Sequence, residues 1–493
     1  MKPVITAEQM RQADNAAMEN GISSPVLMER AALSFVDEVV KSGFDLTKVI
    51  SVCGTGNNGG DAAAAARILR ERGIDCEIYL AGPEEKFSEG MRLQTMIARN
   101  LRIPFAEMFR PENYTLIIDG IFGIGLHRKV TGTYRQLIDE INNSGVPAAS
   151  VDIPSGINTD TGAVMGAAVR ADLTVTFAAG KPGLYLYPGA SYAGKVCVRQ
   201  IGIAVPPEGD GDILLMAPEI SDLEQLPKRD PAGNKGTFGK LLAAAGSESM
   251  YGAAFLCAKA ASASGAGMVR VYTHQLNRSP LAASMPEALM TLYREEDWEP
   301  EPLIEALSWC DCILAGPGLS VSGTAAKILK TILAENSRMK KPLILDADAL
   351  NLIARREDIE LPSGYPVIIT PHIGEMGRLT GLSADEIKAD PVSCAREFAA
   401  KHGVVCILKD ARTVTAYPDG RAYLNLTGNS ALSSAGSGDV LAGIVSCIAM
   451  QYGSGMAYLA PMIHGLTGEA AAEAYSEASA SAGDLISFIH RYL

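Results

Sequence analysis

A chain of 493 residues has the length of two or three domains. With 47% hydrophobic and 20% charged residues it is not a mainly disordered chain, and a net charge of −13 argues against broad contact with nucleic acid or anionic membranes. Nine scattered cysteines without a C-x-x-C pair read as cytosolic free thiols rather than disulfides or a zinc site.

The opening MKPVITAEQM lacks the apolar run of a signal peptide, and no stretch of about 18 apolar residues reads as a membrane span, so a cytoplasmic protein is expected. Residues 1–45 read as helices, with Thr6 and Gln9 at capping-box spacing. Strands are predicted at Val49–Cys53, Glu77–Leu80, Leu116–Asp119, Ala148–Asp152 and Leu173–Phe177. Helices are predicted between them at Asp61–Arg72, Glu85–Arg99 and Thr133–Asn142. This alternation implies a parallel sheet covered by helices. The segment Val205–Asn234, dense in Pro, Gly and charge, reads as a linker and lead-in to a second domain. Strands then resume at Leu241–Ala245, Met268–Tyr272, Cys312–Ala315, Leu343–Asp346, Val367–Thr370 and Val404–Leu408. A small-residue helix is expected at Gly252–Ser264 and an apolar one at Gly438–Met450. No repeat relates the halves, so two different α/β domains are expected, at 1–215 and 225–493.

Gly54-Thr55-Gly56-Asn57-Asn58-Gly59-Gly60-Asp61 lies between a strand and a helix, where α/β sheets bind ligands. Glycines let the backbone approach phosphate, and a helix start attracts anions. The run also fits G-x-G-x-x-G, a weak signal shared with dehydrogenases and with plain tight turns. Asp119 and Asp152 end two neighbouring strands. With Asn58 and Ser155 they offer oxygen ligands for a cation, or an acid or base.

Gly54–Asp61, Asp119–Leu126 and Asp152–Gly156 resemble the epimerase domain that repairs hydrated NADH and NADPH, over about residues 1–215. The resemblance implies a Rossmann-like three-layer fold. It implies that Asn57, Asn58, Gly59, Gly60 and Asp61, and Gly123, Ile124, Gly125, Leu126, His127, Arg128 and Lys129, contact the damaged dinucleotide. It also implies that Asn58, Asp119 and Ser155 hold potassium and that Asp152 reaches the reacting ring. Ala62 stands where the family commonly has Gly, and Ile124 where Thr is common.

In the second half, Gly436-Ser437-Gly438-Asp439 opens the helix 438–450. Successive N–H groups at a helix start form an anion hole for a transferring phosphoryl group, and the neighbouring Asp can accept a hydroxyl proton. Gly316-Pro317-Gly318, Asp346 with Asp348, Thr370-Pro371-His372 and Lys409-Asp410-Ala411-Arg412-Thr413 all follow predicted strands, so one cleft should gather them. Lys235–Lys240, Gly252–Gly267, Gly316–Gly318, Leu345–Asn351, Thr370–Glu375 and Gly428–Gly443 together resemble the ADP-dependent hydrated-NAD(P)H dehydratase domain, which is ribokinase-like, over about residues 225–493. The resemblance implies that Ala253, Gly318, His372 and Asp439 contact hydrated NAD(P)H. It implies that Lys409, Asp410, Ala411, Arg412, Thr413 and Gly438 contact the adenine nucleotide, with magnesium on its phosphates. Ile373 and Ser430 replace prolines usual in that family.

Asp439 is the expected base and Asp152 the expected catalytic group of the epimerase. A homo-oligomer acting on hydrated NADH or NADPH and ADP, with no nucleic-acid or membrane partner, is expected. A ribokinase-like small-molecule kinase and a non-catalytic dinucleotide-binding protein are the rival readings.

Overall fold

The structure, a computed structural model, describes residues 1–205 and 215–493. Their contacts divide them into two compact units, one starting at Lys2 and one running from residue 215 to Leu493.

In the first unit six parallel strands lie in the order Cys76–Leu80, Val49–Cys53, Leu116–Gly120, Ala148–Val151, Leu173–Phe177, Lys195–Arg199. The central strands are buried along their whole length, as parallel strands covered on both faces must be. Side chains alternate between those faces. Ser51 donates from Oγ to the carbonyl of Ala62 on the helix Asn57–Glu71 at 2.9 Å, whereas Ile50 and Val52 join a core with Leu137, Ile138 and Ile141 of the helix Gly132–Asn143. Buried alanines 62–66 let the helix Asn57–Glu71 lie close against the strands. The helices Ala7–Glu19 and Ser24–Lys41 precede the sheet, and Thr6 with Gln9 forms the expected capping box.

Three expectations need correction here. The helix begins at Asn57 rather than Asp61, so the Asn-Asn-Gly-Gly run is its first turn. The strand expected to end at Asp152 stops at Val151, because Asp152 takes a left-handed backbone conformation, φ +65°, that no strand continues. The edge strand Lys195–Arg199 escaped notice because its mixed polar run, KVCVR, is only partly buried.

In the second unit the strands lie in the order Leu215–Ala217, Ala422–Leu424, Val414–Ala416, Val405–Leu408, Val367–Ile369, Leu343–Leu345, Cys312–Ala315, Lys240–Ala244, Met268–His274, Leu289–Tyr293. All pairings are parallel except the two made by Val414–Ala416. The helices Tyr251–Ala263 and Ser437–Tyr452 pack together so tightly that a Cβ on Gly443 would lie 2.3 Å from the Cys257 carbonyl oxygen. That contact explains why both sequences favour small residues. The edge strand Leu289–Tyr293 was not anticipated, since it is short and half-exposed.

The expected linker Val205–Asn234 is also corrected. Residues 206–214 lie outside the described residues, but Leu215–Ala217 is a buried strand and Ile220–Gln225 a capped helical turn. All nine cysteines are free, and seven are buried. Among the described residues no helix is long and apolar enough to cross a membrane.

The buried strand sets the test of the domain boundary. A fragment beginning at residue 215 should melt several degrees above one beginning at 225, which loses the buried Leu215, Met216 and Ala217. Thermal unfolding of the two fragments checks this, and equal midpoints would show the strand dispensable.

Candidate active sites

In the first unit the chain order of the sheet reverses between Val49–Cys53 and Leu116–Gly120. Loops leaving those strands part to opposite sides, and a cavity of about 760 Å³ opens there. Asn57, Asn58 and Asp61 line it from the helix start, Gly123 to Arg128 from the next loop, and Asp152 from a strand end. Arg11 and Asp14 line it from the helix Ala7–Glu19.

Asp119 is fully buried beneath this loop cluster. Its Oδ2 accepts from the Ser150 hydroxyl at 2.7 Å and the Ser155 N–H at 2.8 Å, and its Oδ1 from the Ser155 hydroxyl and the Ile121 N–H. Burial raises its carboxyl above the ordinary value, and these donors oppose the rise. The Asn58 amide donates to the Phe122 carbonyl at 3.0 Å, while Ser155 Oγ accepts from the Phe122 N–H at 2.8 Å. The Asn58 amide, the Ser155 hydroxyl, the Phe122 carbonyl and one carboxylate thus converge around Phe122, a singly charged polar set whose oxygens suit a hard monovalent cation.

Asp152 lines one edge of the cavity. Its Oδ1 accepts from Lys181 Nζ at 2.6 Å, Thr176 Oγ1 at 2.9 Å and the Phe177 N–H at 3.3 Å. Lys181 is fully buried, and it also donates to Thr176 Oγ1 at 2.7 Å and the Phe177 carbonyl at 2.9 Å. Burial, then the charge of Asp152, pushes the Asp14 carboxyl up to about 6, with Lys181 opposing. Burial raises Asp61 well above its ordinary value, and Asp152 and Asp14 add to the rise.

The second unit reverses its strand order between Lys240–Ala244 and Cys312–Ala315. Here the Gly246 N–H meets the Pro317 carbonyl at 2.8 Å. Gly318, at φ +59°, packs beside Ala253, where an added Cβ would come within 2.8 Å of the alanine methyl. Asp346 is buried at the end of the next strand. Its Oδ1 accepts from Thr370 Oγ1 and from Lys409 Nζ, both at 2.7 Å. Lys409 Nζ also lies 3.5 Å from where a Gly438 Cβ would sit, so this ammonium faces the start of the helix Ser437–Tyr452. Burial, then the charge of Asp346, pushes Asp439 up to about 7, with Lys409 opposing. His372 caps the helix Ile373–Thr380, its Nδ1 accepting from the Gly374 and Glu375 N–H groups. Burial and the charges of Lys409 and Arg378 lower its pKa.

Residues 24–183 match the family model described as the YjeF-related protein N-terminus, and residues 241–491 match the one described as NAD(P)H-hydrate dehydratase. The bifunctional NAD(P)H-hydrate repair enzyme Nnr of Thermofilum pendens is 34% identical, covering 99% of this chain and 96% of its own. The chain belongs to the bifunctional NAD(P)H-hydrate repair enzyme family. The Nnr of Escherichia coli is 33% identical, over 98% of this chain and 93% of its own. A crystal structure of a ribokinase-like superfamily protein from Enterococcus faecalis aligns with a TM-score of 0.51 at 27% identity, covering 59% of this chain and 97% of its own.

Not every residue expected at the first site of this repair-enzyme family member faces the cavity. Gly59, Gly60 and Lys129 are not among its lining. A Cβ on Gly59 would fall 2.0 Å from the Gly54 carbonyl oxygen, and one on Gly60 would strike Met28. These two glycines seat the helix rather than form the cavity wall. In the second unit Lys409 ends a strand beside His372, while Asp410 and Ala411 are exposed in the turn that follows.

Sequence reasoning missed Lys181, Asp14 and His464. Lys181 had one signal, its place in Ala-Ala-Gly-Lys-Pro just past a buried strand. His464 is buried, pushed down to about 4, and its Nε2 lies 3.1 Å from Ser437 Oγ at the anion-hole turn.

Lys181→Met leaves the Asp152 carboxylate without its buried partner. It should destabilise the first unit by about 3–5 kcal/mol, and adding Asp152→Asn should recover part of that loss. Denaturant unfolding of the single and double variants measures both terms.

Proposed function

We propose that the first unit interconverts the R and S forms of hydrated NADH and NADPH at ring carbon C6. The second unit then dehydrates the S form to NAD(P)H while ADP becomes AMP and phosphate. What carries this reading is the end-to-end match to relatives named as bifunctional repair enzymes, in a chain that keeps carboxylates at both sites. A stereospecific dehydratase consumes one epimer, and an epimerase in the same chain supplies it from the other.

In the second unit the difficulty is the leaving group. Hydroxide leaves C6 poorly, and phosphorylating that oxygen converts it to phosphate. Asp439, with a pKa near neutrality, accepts the hydroxyl proton as the oxygen attacks the terminal phosphoryl group of ADP. The N–H groups of Gly436 to Asp439 and the Lys409 ammonium face the developing phosphoryl charge. Losing one such donor typically costs about 3 kcal/mol of barrier. Elimination of phosphate then restores the dihydronicotinamide ring. Ala253, Gly318 and His372 line the hydrate side, and Lys409 to Thr413 with Gly438 the nucleotide side. Magnesium accompanies the nucleotide. Among the described residues no three His, Cys, Asp or Glu gather to cage a metal, so its ligands would come mainly from phosphates.

In the first unit Asn57 to Asp61 and Gly123 to Arg128 bind the dinucleotide and Asp152 meets the nicotinamide ring. Asn58, Asp119 and Ser155 hold potassium, which when bound neutralises the buried Asp119 and stiffens the loop around Phe122. The same reading takes the enzyme as a cytoplasmic homo-oligomer.

Asp439→Asn should lower nucleotide-dependent dehydration by about 100-fold or more and leave epimerisation intact. Because Asp439 acts deprotonated, wild-type dehydration should rise with pH through about 7 and then level off. Initial rates of NADH recovery from the S hydrate against pH test this, and near-normal turnover of the variant would sink the assignment.

The ion has its own test. Asp119→Ala should weaken epimerisation, and potassium should support the wild type better than lithium at equal ionic strength. Equal rates in both salts, with the variant fully active, would reject the cation site.

A further inference from the structure

Reactions that exchange the face of a carbon centre need a proton donor and a proton acceptor, and one carboxylate cannot be both at once. Asp152 is committed. Its Oδ1 already takes three donors, one of them the buried ammonium of Lys181. Asp14 lines the same cavity from a different element, the helix Ala7–Glu19. Among the described residues the Asp14 carboxyl makes no hydrogen bond and no ion pair, although it is half-buried. A helix side chain that needed only solvation would sit on the outer face, as the exposed Glu8 and Glu19 of this helix do.

We propose that Asp14 is a second acid–base residue of the epimerisation, the proton donor that complements Asp152. The inference rests on the reading of the first unit as the epimerase.

Asp14 gives its proton to the C6 hydroxyl as the C6–O bond breaks. The lone pair of ring nitrogen N1 closes to an N1=C6 double bond, and water departs. Water then adds to the opposite face of C6. Its oxygen forms the new C6–O bond, its proton passes to the Asp152 carboxylate, and the N1=C6 electron pair returns to nitrogen. The pair then holds the same single proton it began with, moved from Asp14 to Asp152. This is the state that runs the reverse reaction, and solvent exchange resets it. No electron is gained or lost, so no redox partner is required.

The charges around the cavity agree with this division. Asp14 faces Asp152, Asp61 and Lys181, with Arg11, His127 and Arg128 on the remaining walls. Burial and the neighbouring Asp152 carboxylate hold Asp14 up at about 6, where a carboxyl still carries its proton in mildly acidic solution. Asp61 is raised too, but it opens the second turn of the glycine-loop helix, the element whose start the proposed reading sets against the dinucleotide.

The test measures enzymatic epimerisation above the spontaneous rate, in the full chain, with purified R hydrate of NADPH. Asp14→Asn should lower kcat by about 100-fold or more while KM changes less than threefold. Wild-type kcat/KM should fall as pH rises through about 6. That limb should vanish in Asp14→Asn and return, with part of the activity, in Asp14→Glu. Dehydration of the S hydrate in the same chain should be unchanged, and the thermal unfolding of the first unit reports its integrity. Asp14→Asn with kcat within threefold of wild type, or with the same alkaline limb, overturns the proposal and leaves the epimerase reading standing. Loss of kcat in Asp14→Asn with no recovery and no pH limb in Asp14→Glu also overturns it, because it marks a merely structural side chain. A wild type that does not epimerise at all removes the reading and the proposal together.

Discussion

A Cβ on Gly54 would lie 1.9 Å from the carbonyl oxygen of Ile121, and much of the first unit follows from that closeness. Two loops leave adjacent strands at the point where strand order reverses, and their backbones touch with nothing between them. Gly59 repeats the constraint within the first turn of the helix, against the Gly54 carbonyl. A third contact, Gly120 against the Ala62 methyl, ties the helix to the neighbouring strand. The helix start is thereby fixed in height above the sheet. Its free N–H groups and the Asn58 side chain are then presented to the cavity in one geometry, with no reorganisation left to do when a ligand arrives. Ala62 fits because its methyl already occupies the limit of the space.

The second unit reaches preorganisation through charge rather than through backbone contact. Asp346, Lys409 and Asp439 form a graded series. The buried Asp346 fixes the ammonium, and the ammonium faces the turn that begins the anion-hole helix. Asp346 pushes the Asp439 carboxyl up while Lys409 draws it down, and burial tips the balance toward the proton. A carboxyl poised near neutrality arises from three side chains far apart in sequence. The buried, neutral His464 beneath the same turn orients the Ser437 hydroxyl without adding a second positive charge beside Lys409.

Sequence reading captured what local chemistry determines. The strand Val49–Cys53 was legible because a five-residue run with four apolar side chains ends in a glycine run, and the four apolar residues of Cys312–Ala315 stand out in the same way before Gly316. Asp119, Asp152 and Asp439 stood out because a carboxylate directly follows an apolar run or opens a glycine turn. Lys181 did not, since its partner lies 29 residues earlier and only the fold brings them together. Asp14 is one of several acids on the helix Ala7–Glu19, and only the cavity distinguishes it from Glu8. His464 sits in a helix apolar on almost every side, where a histidine carries no pattern. The edge strands Lys195–Arg199 and Leu289–Tyr293 were obscured because partial exposure admits polar or irregular runs that lack a buried strand's signature.

The cysteines point to a further property of the molecule. Burial holds Cys53 and Cys447 up at about 12 and Cys310 at about 11, and raises Cys76, Cys257 and Cys312 well above the ordinary thiol value. A thiol in that condition has almost no thiolate at neutral pH, so it attacks electrophiles and peroxides slowly. Cys257 and Cys447 lie on the two helices that press together next to the anion-hole turn. Both thiols are buried between those helices and shielded from oxidants. A protein whose task is to restore damaged redox carriers carries its own most oxidisable atoms as inert packing.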